Sequence, residues 1–153
     1  MNKKGQVKLY NLLFPFWMLL LFPQVWLIVL PGNFLIDSLV LLISMHALKI
    51  ESKKQWYVKH IVKIFAFGLL ADVIGSAYML FLMVVFEVGR MGDELYLTLP
   101  ALLISAALIF VFNYFITFKK ADKPLRIKFA LTFAIATAPY TFLVPSSWLY
   151  SNF

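Results

Sequence analysis

The chain has 153 residues, 63% of them hydrophobic and only 14% charged, with a formal net charge of +7 and no cysteine. Soluble domains hold roughly half apolar and about a quarter charged residues, so water is not the main solvent of this fold. Without cysteine, disulfides, thiolate metal sites and thiol nucleophiles are excluded.

The sequence reads as an all-α, polytopic membrane helix bundle, one transmembrane domain of five spans at about 9–30, 33–50, 61–86, 95–118 and 128–149. Each is near the ~20 residues needed to cross ~30 Å of hydrocarbon. Lys3, Lys4 and Lys8 precede the first apolar run in the manner of a secretory signal. No small-residue cleavage site follows, so the run is read as a retained span. Pro31-Gly32-Asn33 is a turn-forming link to span 2. An alternative boundary starts span 2 near Pro23, so that it covers about 24–50 with Pro31 as an internal kink. Asp37 then moves from the first turn of span 2, where capping and the helix dipole favour a carboxylate, to near mid-membrane.

A basic segment from Glu51 to His60 leads into span 3, and Glu87 to Glu94 forms an acidic link to span 4. A second basic segment, Lys119 to Arg126, leads into span 5. Of the 14 lysines and arginines, three precede span 1, five lie between Lys49 and Lys63, five between Lys119 and Lys128, and only Arg90 falls in a link on the other side. Short loops are where positive charge sets orientation, so the N-terminus is expected in the cytoplasm and the C-terminus outside. The same sorting explains the net charge without a nucleic-acid partner. A multi-pass protein of the bacterial cytoplasmic membrane is the expected setting, with the lipid bilayer as its first partner.

Asp72 lies midway along span 3, where an ionised carboxylate costs ~3 kcal/mol or more. Gly68, Gly75 and Ser76, at i−4, i+3 and i+4, place it on a small, polar face that points into the bundle. Asp72, with Ser76 beside it, is read either as a proton or cation site or as a protonated carboxyl that bonds a neighbouring helix. Asp37 is a second candidate, and His46 and Asn113, both near the inner interface on spans 2 and 4, are positioned to meet in the bundle. With His60 the only other histidine, no metal or haem site and no cofactor are expected.

Small residues recur every fourth position at Ala71 and Gly75, at Ala101 and Ser105, and at Ala130, Ala134 and Ala138, marking helix contacts. Pro139 and Pro145, with Thr137 and Thr141 nearby, kink or end span 5, the hydroxyls helping to satisfy freed backbone groups. Lys119, Lys120, Lys123, Arg126 and Lys128 are candidates for lipid headgroup contact, each basic residue near an anionic leaflet contributing about 1 kcal/mol. Phe112-Asn113-Tyr114-Phe115-Ile116-Thr117-Phe118-Lys119-Lys120, which closes a span, resembles the helix end of the GtrA-like family. That likeness implies small four-span membrane proteins that move lipid-linked sugars, whereas this chain reads as five spans and has Tyr114 where the family commonly has a basic residue.

Three functions follow. The first is a non-enzymatic accessory or regulatory subunit of a membrane assembly, with a membrane-protein partner or a second copy of the chain, because no phosphate loop, nucleophile motif or paired histidines are present. The second is a small transporter, flippase or channel using Asp72. The third is a lipid-acting enzyme with Asp37 and Asp72 as a pair. That reading needs the alternative boundary, since under the first one the two differ in depth by roughly 10 Å at a rise of 1.5 Å per residue.

Overall fold

The computed structural model describes residues 23–86 and 94–143. Within them the chain is all-helical: α1 (Pro23–Ala47), α2 (Lys53–Phe86), α3 (Glu94–Phe112) continued by a π-helical turn (Asn113–Thr117), α4 (Lys123–Ala136) and a 3₁₀ turn (Tyr140–Leu143). Three stretches, Trp26–Ala47, Lys53–Leu82 and Leu95–Thr117, are long and apolar enough to cross a membrane. Span 1 before Pro23, the link with Arg90 and the exit at Pro145 lie outside the described residues.

The break expected at Pro31-Gly32-Asn33 is absent, as the alternative reading of span 2 with Pro31 inside it requires. α1 runs without interruption through Pro31, Gly32 and Asn33. A proline is tolerated in a membrane helix because neighbouring groups re-satisfy the freed carbonyl, and in hydrocarbon an open link costs more than a kinked helix. Asn33 therefore caps nothing, and Asp37 sits in the body of the helix. The Glu51–His60 segment is not a loop either: α2 starts at Lys53, with Ser52 O accepting from Trp56 N at 3.0 Å. No proline interrupts the next 34 residues. α1 closes with Lys49 N bonded to His46 O, Ile50 N bonded to Met45 O and Lys49 at φ 54°, a left-handed C-terminal cap that reverses the chain within five residues.

The helices pack in sequence, α1 on α2, α2 on α3 and α3 on α4, and α1 also meets α4, so the bundle closes on itself. Its outward faces carry bare apolar side chains such as Leu27, Ile43, Val62, Val84 and Leu103, the inverse of a water-soluble surface. α2 and α3 share the longest seam. There Ser105 Oγ donates to Ala71 O at 3.0 Å, and a Cβ on Gly75 would collide with Ser105 Oγ, with Phe142 Cε2 at 3.0 Å and with Ala101 O at 3.3 Å. Two of the three small-residue ridges read from the sequence, Ala71 with Gly75 and Ala101 with Ser105, thus face each other. At the basic end, Phe118 stacks between Phe129 and His60 at centroid distances of 4.7 and 5.1 Å, with Trp56 alongside, and joins α2, α3 and α4.

The fifth predicted span is broken. α4 begins at Lys123 with Pro124 in its first turn, a position where the missing N–H costs nothing, and ends at Ala136 after 14 residues. Pro139 has no N–H to give Ile135 O, and the Tyr140 hydroxyl donates to that carbonyl instead. Thr137 Oγ1 donates to Phe133 O at 2.8 Å. Tyr140, rather than Thr141, is thus the hydroxyl that answers the proline. Beyond the break the 3₁₀ turn continues along α3 and seats Phe142 with Met79, Leu97 and Ala101.

Gly75→Ala is expected to destabilise the purified protein by about 1–3 kcal/mol, because backbone and a buried ring must move. Gly68→Ala, whose Cβ meets only Asp37 Oδ2 at 3.7 Å, is expected to unfold within about 0.5 kcal/mol of the parent. Thermal unfolding in detergent measures both, and equal losses would contradict the tight seam.

Candidate functional site

The site is built where α1 and α2 run antiparallel. Two contacts fix their register: Ser38 Oγ and Tyr57 OH share a hydrogen bond of 2.9 Å, and Phe34 meets Phe65 edge to face at 5.5 Å. Asp37 lies between them and is buried. Its Oδ2 looks onto Gly68, where the missing side chain leaves the space the carboxylate faces. One turn further along α2 is Asp72, half-buried, with Oδ1 fully enclosed and without a hydrogen-bond partner.

The two carboxylates are near enough for their charges to interact, and no cationic group acts on either among the described residues. Ser76, another turn along the same face, is buried with Oγ also unpartnered. On the other flank of α2, the Ser105 hydroxyl is committed to Ala71 O, next to Asp72. Two acidic groups from two helices, an orphan hydroxyl and no counter-charge make an electronegative enclosure. Such an enclosure is stable with a shared proton or a bound cation and costly when empty and doubly ionised.

The remaining candidates do not join it. His46, at the end of α1, is exposed, and its Nδ1 accepts from Lys53 Nζ at 3.3 Å. Asn113 is fully buried and donates to Ile109 O at 2.9 Å within its own helix. His46 and Asn113 Nδ2 each bond a nearby group, Asn113 Oδ1 is left without a partner, and no hydrogen bond connects the two residues. The sequence placed both near the inner interface but did not specify the helix rotation that turns His46 outward. Lys119, Lys120, Lys123 and Lys128 are exposed at the turn between α3 and α4, and Arg126 is half-buried there. No group of three or more His, Cys, Asp or Glu side chains comes together as a metal site among the described residues.

Some buried polar residues escaped the sequence reading. His60, assigned to a basic loop, is buried in the aromatic cluster with Nδ1 donating to Trp56 O at 2.7 Å. Its i, i+4 spacing from Trp56 was the available signal. Thr117 is buried with an unpartnered hydroxyl. Thr132 and Thr137 donate to the carbonyl four residues back at 2.8 Å each. Thr117 does not, because the π-helical turn, with Phe118 N bonded to Asn113 O, takes that carbonyl out of line.

No protein-family model matches the chain, and neither does any curated protein or solved structure. The likeness of residues 112–120 to the GtrA-like family therefore carries no assignment, and function rests on the geometry of the site.

Asp37→Asn and Asp72→Asn are expected to be coupled. At alkaline pH each removes the same like-charge repulsion, so the double variant gains less stability than the sum of the singles, by about 0.5–3 kcal/mol. A double-mutant cycle from thermal unfolding measures this, and additivity within about 0.5 kcal/mol would mean that the carboxylates do not share a site.

Proposed function

We propose that this protein is a small transporter or channel of the cell membrane that holds a proton or a monovalent cation between Asp37 and Asp72 and passes it through the bundle. The observation that carries the proposal is the convergence of two carboxylates from different helices, in apolar surroundings, with no cationic partner and with Asp72 Oδ1 unsatisfied. A carboxyl kept only as packing glue would be bonded to a neighbouring helix, as Ser105 is. The accessory-subunit reading drew on small size, dense helix-packing ridges and the absence of a catalytic motif, and the ridges of α2 and α3 are occupied by each other. A lipid-acting enzyme would use the same pair, but nothing further in the site favours a hydrolytic or transfer reaction.

The proposed topology has five crossings, with the N-terminus in the cytoplasm, the C-terminus outside, and α4 with its 3₁₀ turn as the broken fifth. Its supports are the distribution of lysine and arginine and the way Phe129 and Phe142 pack against opposite ends of α3 and its π-helical turn.

Purified protein in proteoliposomes is expected to carry proton or monovalent-cation flux that Asp72→Asn abolishes and Asp37→Asn lowers by about tenfold or more, one tenfold step being ~1.4 kcal/mol. Unchanged flux in Asp72→Asn would remove the carboxylate from the mechanism. The orientation has its own check, since a cysteine-free chain accepts a single reporter thiol. Asp122→Cys is expected to resist membrane-impermeant thiol reagents in intact cells and to react in inverted vesicles. Labelling in intact cells would reverse the topology.

A further inference from the structure

A second site lies at the turn between α3 and α4, independent of the carboxylate pair. Arg126 stands in the second turn of α4 with its guanidinium carbon 4.1 Å from the centre of the Tyr114 ring. Nη1 donates to Lys119 O across a long 3.5 Å, Nε is buried with no acceptor, and no carboxylate among the described residues pairs with the group. Asp122, the nearest acid in sequence, is exposed and its side chain does not cap α4.

A partly buried cation without a counter-ion calls for an anion, and stacking on Tyr114 holds the guanidinium plane while leaving N–H edges free. Lys119, Lys120 and Lys123, all exposed, belong to the same turn, and Lys119 supplies the carbonyl that Arg126 Nη1 reaches. Phe115, Ile116, Ile127 and Leu131, within about a turn or two of the basic residues along the same two helices, expose apolar side chains. Anion-binding groups next to exposed apolar side chains match the depth profile of a phospholipid, with the phosphate on the basic groups and the acyl chains along the helices.

We propose that Arg126, Tyr114 and the lysines of this turn form a binding site for the phosphate of an anionic phospholipid. Arg126 is the specific contact, since a guanidinium fork matches two phosphate oxygens, and the lysines add diffuse attraction. Tyr114 acts as a positioning residue that fixes the plane of the fork.

The test is native mass spectrometry of the detergent-purified chain titrated with phosphatidylglycerol, with phosphatidylcholine and with inorganic phosphate, each variant first checked for helical content. Phosphatidylglycerol adducts are expected to weaken about tenfold or more in Arg126→Gln, and about fivefold for each of Lys119→Gln and Lys120→Gln. Arg126→Lys is expected to fall between Arg126→Gln and the parent. Tyr114→Leu is expected to follow Arg126→Gln, whereas Tyr114→Phe keeps the ring and the binding. Lys54→Gln with Lys59→Gln, exposed charges without an aromatic platform, is expected to leave binding within about twofold. Equal losses from that control and from Arg126→Gln would reduce the site to diffuse surface charge. Saturation by inorganic phosphate, with no preference between the two lipids, would make it a site for a soluble anion. Either result overturns the proposal, and neither depends on the outcome of the flux measurements.

Discussion

The close approach of α2 to α3 at Gly75 is the contact from which the rest of the bundle takes its geometry. In hydrocarbon there is no solvent-driven collapse to pull helices together, so association depends on how near two backbones come and on hydrogen bonds between them. Gly75 supplies the first and the bond from Ser105 to Ala71 O the second, within one turn of each other. Because Asp72 lies between Ala71 and Gly75 in sequence, that seam sets its rotation about the helix axis. Its carboxylate is turned away from α3 and toward α1, where Asp37 waits across the gap at Gly68.

A single rule sorts the polar groups inside the molecule. Thr132, Thr137 and Asn113 donate to a carbonyl four residues back in their own helix, and where Pro139 strands a carbonyl, Tyr140 covers it. Against that thrift the exceptions stand out. Asp72 Oδ1 and Ser76 Oγ fall on one face of α2, and Asn113 Oδ1 and Thr117 Oγ1 fall in the π-helical turn. The first pair adjoins another carboxylate, so the unsatisfied valence there is acidic and calls for a positive charge. The second pair is neutral and buried. The two places differ in chemistry although both are buried.

Membrane residence and helical class were legible from the continuous apolar runs, and the α2–α3 seam from small residues four apart on two helices. The start of span 2 was not. Pro31-Gly32-Asn33 is turn chemistry in water, and only the cost of opening a backbone in lipid keeps α1 continuous through it. The same residues decided the site: with a link at Pro31, Asp37 is an end-of-helix acid with a local explanation, and with α1 intact it is half of a pair. Asp72 could be found from its own neighbours, since Gly68, Gly75 and Ser76 lie on its face. Asp37 could be paired with it only under the alternative boundary, because meeting depends on the depth of Asp37 and on the register of two antiparallel helices, held by Ser38 on Tyr57 and Phe34 on Phe65. The break at Ala136 was announced by Pro139, but the hydroxyl that compensates it was misjudged among three candidates within five residues.

The interruption at Pro139 also changes how the last segment transmits load. A continuous rod would tie the azimuth of Phe142 to the twist of α4, so that any rolling of α4 on the ring stack at the basic end would swing Phe142 across the bundle. The break from Thr137 to Pro139 uncouples the direction of the 3₁₀ turn from the axis of α4. Phe142, close to Gly75, packs on the α2–α3 pair, while α4 packs on α1, α2 and α3 through Phe129, Phe133 and Ala134. The two sides of Pro139 thus serve different cores, Phe129, Phe133 and Ala134 of α4 packing with Leu41, Ala71 and Ile109, and Phe142 with Met79, Leu97 and Ala101.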